Sequence, residues 1–126
     1  MIKIAIVDDH EIFLKGLEGI LQQTETFKVC HTYLNGSELL KVLPLSDLDV
    51  LLLDLQLPDI SPEDLLSAIR QKQPDLKIIY LTLVRGNRYF NKLSEIGFEG
   101  YLLKDSPIEI LKEAINSVYL GNQFLW

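Results

Sequence analysis

Short apolar runs recur along this chain of 126 residues, and four of them end at polar side chains. The runs at residues 4–7, 50–53, 78–81 and 101–103 are followed by Asp8 and Asp9, by Asp54, by Thr82 and by Lys104, respectively. Continuous apolar runs of this length are typical of strands that are buried on both faces, as in a parallel sheet. Because ligands of open α/β folds bind beyond the carboxyl ends of the strands, we expect these polar side chains to meet at one edge.

Helical patterns alternate with the strand-like runs, which gives five successive β-α units. The predicted strands are residues 2–7, 27–32, 49–54, 77–82 and 100–104. Apolar residues at spacings of three and four follow each strand, as expected for amphipathic helices. Asn35, Ser61 and Ser106 stand where N-caps are expected, and Gly97 and Gly121 stand where the last two helices should end.

This alternation predicts a doubly wound α/β fold, because short β-α connections impose right-handed crossovers and leave helices on both faces of a parallel sheet. Periodicity does not reveal the order of the strands. We adopt the order 2-1-3-4-5, which is common among doubly wound folds and places strands one and three at the switch point. In that order Asp8 and Asp9 lie beside Asp54.

Length and composition fit a single domain, since 48% hydrophobic residues can form an ordinary core without metal or disulfide support. The net charge of -6 opposes nonspecific binding of this domain to nucleic acid. We expect no membrane association, because no apolar stretch approaches the length of a membrane span and the first residues do not resemble a signal sequence. With Cys30 as the only cysteine, a cytoplasmic location is expected.

Four stretches of the sequence resemble, in order, the motifs of the receiver domain of two-component response regulators. They are Ile6-Val7-Asp8-Asp9-His10, Leu52-Leu53-Asp54-Leu55-Gln56-Leu57-Pro58, Thr82, and Tyr101-Leu102-Leu103-Lys104-Asp105. The Asp-Asp-His start and residues 100–105 are most similar to the NarL/FixJ-like subfamily. The resemblance implies a flavodoxin-like receiver fold with a five-stranded sheet and five helices in residues 1–120. It also implies that residues 121–126 begin a linker to an output domain that is absent here.

The resemblance makes Asp54 the phosphoacceptor, which would take a phosphoryl group from a sensor histidine kinase or a small phosphodonor. Asp8, Asp9, Asp54 and the backbone carbonyl of Gln56 would hold Mg²⁺. The charge balance agrees, because three neighbouring carboxylates are unfavourable unless a cation lies between them. Asp8 or Asp9 taken alone is equally compatible with a role in capping the first helix.

The resemblance also assigns the switch: Lys104 and the Thr82 hydroxyl would contact the phosphoryl group, and Tyr101 would turn inward behind the threonine. The expected modulators of the phosphoryl lifetime are Gln56, Leu83 and Val84. Leu83 stands where receivers commonly have a small residue. His10 is expected at a structural or surface position without a catalytic role, although histidine can take part in acid–base or metal chemistry.

The predicted function is therefore a phosphorylation-activated switch that controls a DNA-binding transcription output. The domain is not expected to be a conventional enzyme, although it would catalyse its own phosphorylation and autodephosphorylation. The expected partners are a sensor histidine kinase, a second copy of the chain that can form a homodimer on activation, and DNA only through a C-terminal helix-turn-helix. The alternative is a receiver-like interaction module that works without phosphorylation, with Leu83 shielding the site.

Overall fold

A parallel sheet with helices on both faces forms the core of the protein. The structure, a computed structural model, describes residues 1–83 and 88–126. The strands are β1 (Ile2–Val7), β2 (Phe27–Tyr33), β3 (Val50–Asp54), β4 (Lys77–Thr82), β5 (Gly100–Leu103) and β6 (Phe124–Leu125). The helices are α1 (Glu11–Gln22), α2 (Gly36–Val42), α3 (Pro62–Lys72), α4 (Phe90–Ile96) and α5 (Ile108–Tyr119).

The order of the strands is β2-β1-β3-β4-β5-β6, and all neighbouring pairs are parallel. The doubly wound α/β fold and the predicted order of the first five strands are confirmed. The predicted sheet lacked the sixth strand, which is two residues long and extends the edge at β5. Two backbone hydrogen bonds attach this segment to the sheet: Phe124 N donates to Glu99 O, and the N of Trp126, the residue after β6, donates to Tyr101 O, both at 2.9 Å.

Two apolar clusters cover the two faces of the sheet. Side chains alternate along each strand, so neighbouring residues contribute to opposite clusters. In β3, Leu51 and Leu53 pack in the cluster with α2, α3 and α4, whereas Val50 and Leu52 pack in the cluster with α1 and α5. This double burial explains why the central strands are continuous apolar runs instead of alternating patterns.

The helix ends test the predicted capping residues. Asn35 accepts a hydrogen bond from Glu38 N at 2.9 Å and Ser61 accepts one from Asp64 N at 3.2 Å, which confirms both caps. The cap predicted at Ser106 is wrong: Pro107 occupies the N-cap position of α5, and within residues 1–83 and 88–126 the buried Ser106 hydroxyl has no hydrogen-bond partner. Gly97 ends α4 with a φ of 111°, a conformation that glycine tolerates best.

None of the helices within residues 1–83 and 88–126 has the length and apolarity that a membrane span requires.

Candidate functional site

The carboxyl ends of four parallel strands bring the predicted site residues to one edge of the sheet. Asp8 follows β1, Asp54 ends β3, Thr82 ends β4 and Lys104 follows β5. The registers Val7↔Leu53 and Thr82↔Leu103 align these ends. Asp8, Asp54 and Thr82 are all buried, although burial of polar side chains is costly unless other polar groups compensate it. An edge of this kind is typical of a binding site.

Lys104 joins the two buried carboxylates. Its Nζ atom lies 2.7 Å from Asp8 Oδ2 and 3.4 Å from Asp54 Oδ1. The contact with Asp8 has the distance of an ion pair without the angles of a hydrogen bond. The Lys104 side chain is only 5% exposed, and its ammonium also lies 4.9 Å from the centre of the Phe13 ring, a cation–π distance. The ammonium is therefore fixed next to Asp54.

The surroundings of Asp54 disfavour the ionised form of its carboxylate, despite the nearby Lys104 ammonium. Burial first, and then the charge of Asp8, raise the pKa of Asp54 from its ordinary value of 3.8 to about 7, although Lys104 opposes the rise. Its Oδ2 atom is buried and has no hydrogen-bond partner among the described residues. A buried carboxylate oxygen without a partner is unusual in a folded protein and points to a ligand.

The same edge could hold a divalent cation. One ligand atom from each of Asp8, Asp9, His10 and Asp54 lies within 4.8 Å of the others. Carboxylate oxygens are the ligands that Mg²⁺ prefers, and the Lys104 ammonium pairs with two of the three carboxylates, those of Asp8 and Asp54. Asp54 Oδ2, which has no hydrogen-bond partner among the described residues, is available to bind such a cation. These residues fit a hard divalent cation, and Gln56, whose carbonyl is the fourth predicted ligand, lies exposed two residues after Asp54.

His10 takes part in this polar network, which the sequence did not predict. Its backbone N donates to Asp8 Oδ1 at 2.8 Å, and its Nδ1 lies 3.1 Å from the same oxygen. The ring also lies 3.4 Å from Asp9 Oδ1 and 3.3 Å from Lys104 Nζ. The side chain is 59% exposed, as expected for a surface position. Its place directly after the aspartate pair was the available signal.

The predicted switch residues lie on neighbouring strands. Lys104 N donates to Thr82 O at 2.7 Å, which ties the end of β5 to the end of β4. Tyr101 is buried, and its hydroxyl has no hydrogen-bond partner among the described residues. Its ring makes an edge-to-face contact with Phe90 at 5.0 Å and lies near Phe98. Tyr101 therefore packs between β5 and α4, and its role as a switch stays a prediction.

Leu83, one of the predicted modulators, lies at the rim of the site. Leu83 is 68% exposed and forms one wall of a groove of about 350 Å³ that His10, Phe13, Lys104 and Asp105 also line. It stands beside the site. Val84, the third predicted modulator, lies outside the described residues.

Comparison with known proteins assigns the family. Residues 4–116 match the family of the response regulator receiver domain. The chain belongs to this family. Response regulator UvrY of Escherichia coli (strain K12) is 32% identical over 125 residues, which cover 99% of this chain and 57% of UvrY. The prediction of a NarL/FixJ-like receiver domain is confirmed.

Solved receiver domains share this fold. The isolated REC domain of RcsB from Salmonella enterica serovar Typhimurium, solved with the phosphomimetic BeF3-, superposes with a TM-score of 0.88 at 28% identity, over 99% of this chain and 93% of that one. A structure of two RcsB dimers bound to two parallel DNAs superposes with a TM-score of 0.88 at 28% identity, over 99% of this chain and 64% of that one. The chain spans 52% to 58% of the curated relatives DegU and GacA.

Proposed function

We propose that Asp54 accepts a phosphoryl group and that the modified domain controls a transcription output through a change of conformation. The receiver family supports phosphorylation-dependent two-component signalling in general. The observation that carries the proposal is the buried Asp54 carboxylate: its Oδ2 has no hydrogen-bond partner among the described residues, and its Oδ1 lies 3.4 Å from the Lys104 ammonium. Asp8 Oδ2 shares both features, but the other oxygen of Asp8 accepts a hydrogen bond from His10 N at 2.8 Å, and Asp54 is the residue that matches the phosphoacceptor motif of the family.

The chemistry follows from the position of the carboxylate. An ionised Asp54 oxygen attacks the phosphorus of a phosphohistidine or of acetyl phosphate, the bond from phosphorus to the leaving group breaks, and an acyl phosphate forms. Asp8, Asp9, Asp54 and the carbonyl of Gln56 would hold Mg²⁺. When bound, it would offset the carboxylate charges and the charge on the phosphoryl oxygens, and so favour ionised Asp54 at neutral pH.

Lys104 and Thr82 give the transfer its effect on conformation. The ammonium of Lys104, 3.4 Å from Asp54 Oδ1, can pair with a phosphoryl oxygen attached at that side chain. The Thr82 hydroxyl, at the end of the adjoining strand, can donate to another. These contacts exist only after transfer, so they shift the equilibrium between two conformations by their own free energy. Movement of Thr82 would then be transmitted to Tyr101 on β5.

The proposed partners follow from the family and from charge. The phosphoryl donor is a sensor histidine kinase in the cytoplasm, and activation leads to a homodimer. RcsB has been solved as dimers on DNA, and we propose a DNA-binding output for this chain also. The net charge of -6 argues that a separate helix-turn-helix module makes the DNA contacts.

Intact-mass measurement after incubation with acetyl phosphate and Mg²⁺ tests this function. The natural sequence should gain the mass of one phosphoryl group, and Asp54→Asn should gain none. Asp75→Asn, at an exposed turn, is the matched control and should behave like the natural sequence. Absence of any gain in the natural sequence would contradict the proposal and favour the interaction module that works without phosphorylation.

A further inference from the structure

The loop between β3 and α3 is attached to the first turn of α2 by one carboxylate. Asp59 Oδ1 accepts a hydrogen bond from Gly36 N at 3.2 Å. Its Oδ2 accepts one from Ser37 N at 2.8 Å and another from Ser37 Oγ at 2.6 Å. Desolvation alone would raise the pKa of Asp59, but the hydrogen bonds from Ser37 and Gly36 hold that pKa below its ordinary value. The ionised Asp59 carboxylate therefore links the β3–α3 loop to α2.

Packing holds the same loop against α2. A methyl group placed on Gly36 would lie 2.6 Å from Ile60 Cγ2, so only glycine allows the loop to approach this closely. Leu57 and Ile60 form an antiparallel bridge that closes the loop into a tight turn. Asp59 lies inside that turn, between the two bridged residues. The carboxylate and the glycine contact thus fix the far end of the loop.

The near end of the loop is fixed to the sheet. Leu55 N donates to Leu81 O at 3.1 Å, which continues the pairing of β3 with β4 past Asp54. Gln56, the residue whose carbonyl is a predicted metal ligand, lies between this hydrogen bond and the turn. The direction of that carbonyl therefore depends on both attachments, and the one at α2 is made by Asp59.

We propose that Asp59 is a positioning residue for the cation site: it holds the loop on α2 and so keeps the Gln56 carbonyl in place relative to Asp54. The inference rests on the proposed function, because it assumes a cation at the carboxylates. Mg²⁺ demands near-ideal octahedral geometry, so a small displacement of one ligand weakens binding. Groups that support ligands in this way typically change metal affinity by about 10–100-fold.

Calorimetric titration of the folded protein with Mg²⁺ alone tests this role. We expect Asp59→Ala to raise the Kd for Mg²⁺ by about 10-fold. Ser37→Ala removes only the hydroxyl hydrogen bond and keeps the charge, so the Kd should rise measurably but by less than in Asp59→Ala. Asp75→Ala removes an exposed carboxylate far from the loop contact and should change the Kd less than Ser37→Ala does. Urea unfolding identifies conditions in which each variant is fully folded.

Ionic strength separates positioning from simple loss of charge. At about 1 M KCl the Debye length is only about 3 Å, so a long-range effect of the Asp59 charge should vanish while a displaced ligand still weakens binding. The inference is overturned if Asp59→Ala and Asp75→Ala have the same Kd for Mg²⁺ at high salt. If Asp59→Ala does not fold, the inference is overturned when Ser37→Ala binds Mg²⁺ as tightly as the natural sequence. Failure of the natural sequence to bind Mg²⁺ would overturn the proposed metal site as well.

Discussion

Replacing Asp54 by asparagine is expected to stabilise the protein, and more so at alkaline pH than at acidic pH. The carboxylate is 6% exposed, and burial and Asp8 raise its pKa from 3.8 to about 7. Between these values the folded protein keeps a proton that the unfolded chain releases. The free energy of unfolding therefore falls as the pH rises through this window, and the full cost is present above pH 7.

The size of the effect follows from the two pKa values. Each pKa unit corresponds to about 1.36 kcal/mol, so ionised Asp54 costs the folded state at most about 4 kcal/mol. The attraction from Lys104 is already included in that value. Asparagine keeps the shape and removes the charge. Linkage between the two pKa values gives a stabilisation that is about 2 kcal/mol larger at pH 8.5 than at pH 5.5.

Urea unfolding in the presence of EDTA measures this difference. The natural sequence and Asp54→Asn are compared at both pH values, and Asp75→Asn serves as the exposed control. A pH of 5.5 keeps the protein above its isoelectric point of about 4.8. If the gain from Asp54→Asn were the same at the two pH values, burial of an ionised carboxylate would not be its cause, and the reasoning would be refuted.

Four further substitutions, one of them a control, test packing and exposure. Tyr80→Phe removes a buried hydroxyl that has no hydrogen-bond partner in the described part of the chain, so urea unfolding should give equal stability or a gain of about 1 kcal/mol; a clear loss would contradict this. Gly36→Ala should lower the free energy of unfolding by about 1–3 kcal/mol, because the new methyl group meets Ile60. Gly19→Ala, whose methyl group would have nothing within 4 Å, is the control and should raise the free energy of unfolding by about 0.5–1 kcal/mol. Similar effects of the two substitutions would refute the packing argument. Leu83→Ala should shorten the acyl-phosphate lifetime, since it opens the groove beside Lys104 to water; equal decay rates in a phosphate-release assay would exclude this role.

The sequence predicted the parts of the fold in which apolar burial determines the structure. The runs that became β1 and β3 lie between the two apolar clusters, so their composition alone marked them as central strands. Because parallel strands end at the same edge, Asp8 and Asp54 were expected together, and they share the ammonium of Lys104. The strand order had to be taken from known doubly wound folds, because periodicity does not specify which strands are neighbours.

Features that depend on backbone contacts or on the path of a loop were missed. β6 pairs through main-chain groups such as Trp126 N with Tyr101 O, and two residues are too few to show a periodic pattern. Ser106 has the spacing of a cap, yet α5 begins one residue later than that pattern assumes. The contact between His10 and Lys104 joins residues 94 positions apart, and no local pattern predicts it.

A crystal structure of this protein with beryllofluoride and Mg²⁺ tests the central claim, that Asp54 receives a phosphoryl group, most directly. It should show fluoroberyllate on the Asp54 carboxylate in contact with Lys104 and the Thr82 hydroxyl, and a cation bound by Asp8, Asp9, Asp54 and the carbonyl of Gln56. The claim would be contradicted if, at saturating concentrations of both reagents, Asp54 carried no fluoroberyllate, remained paired with Lys104 and had no cation beside it.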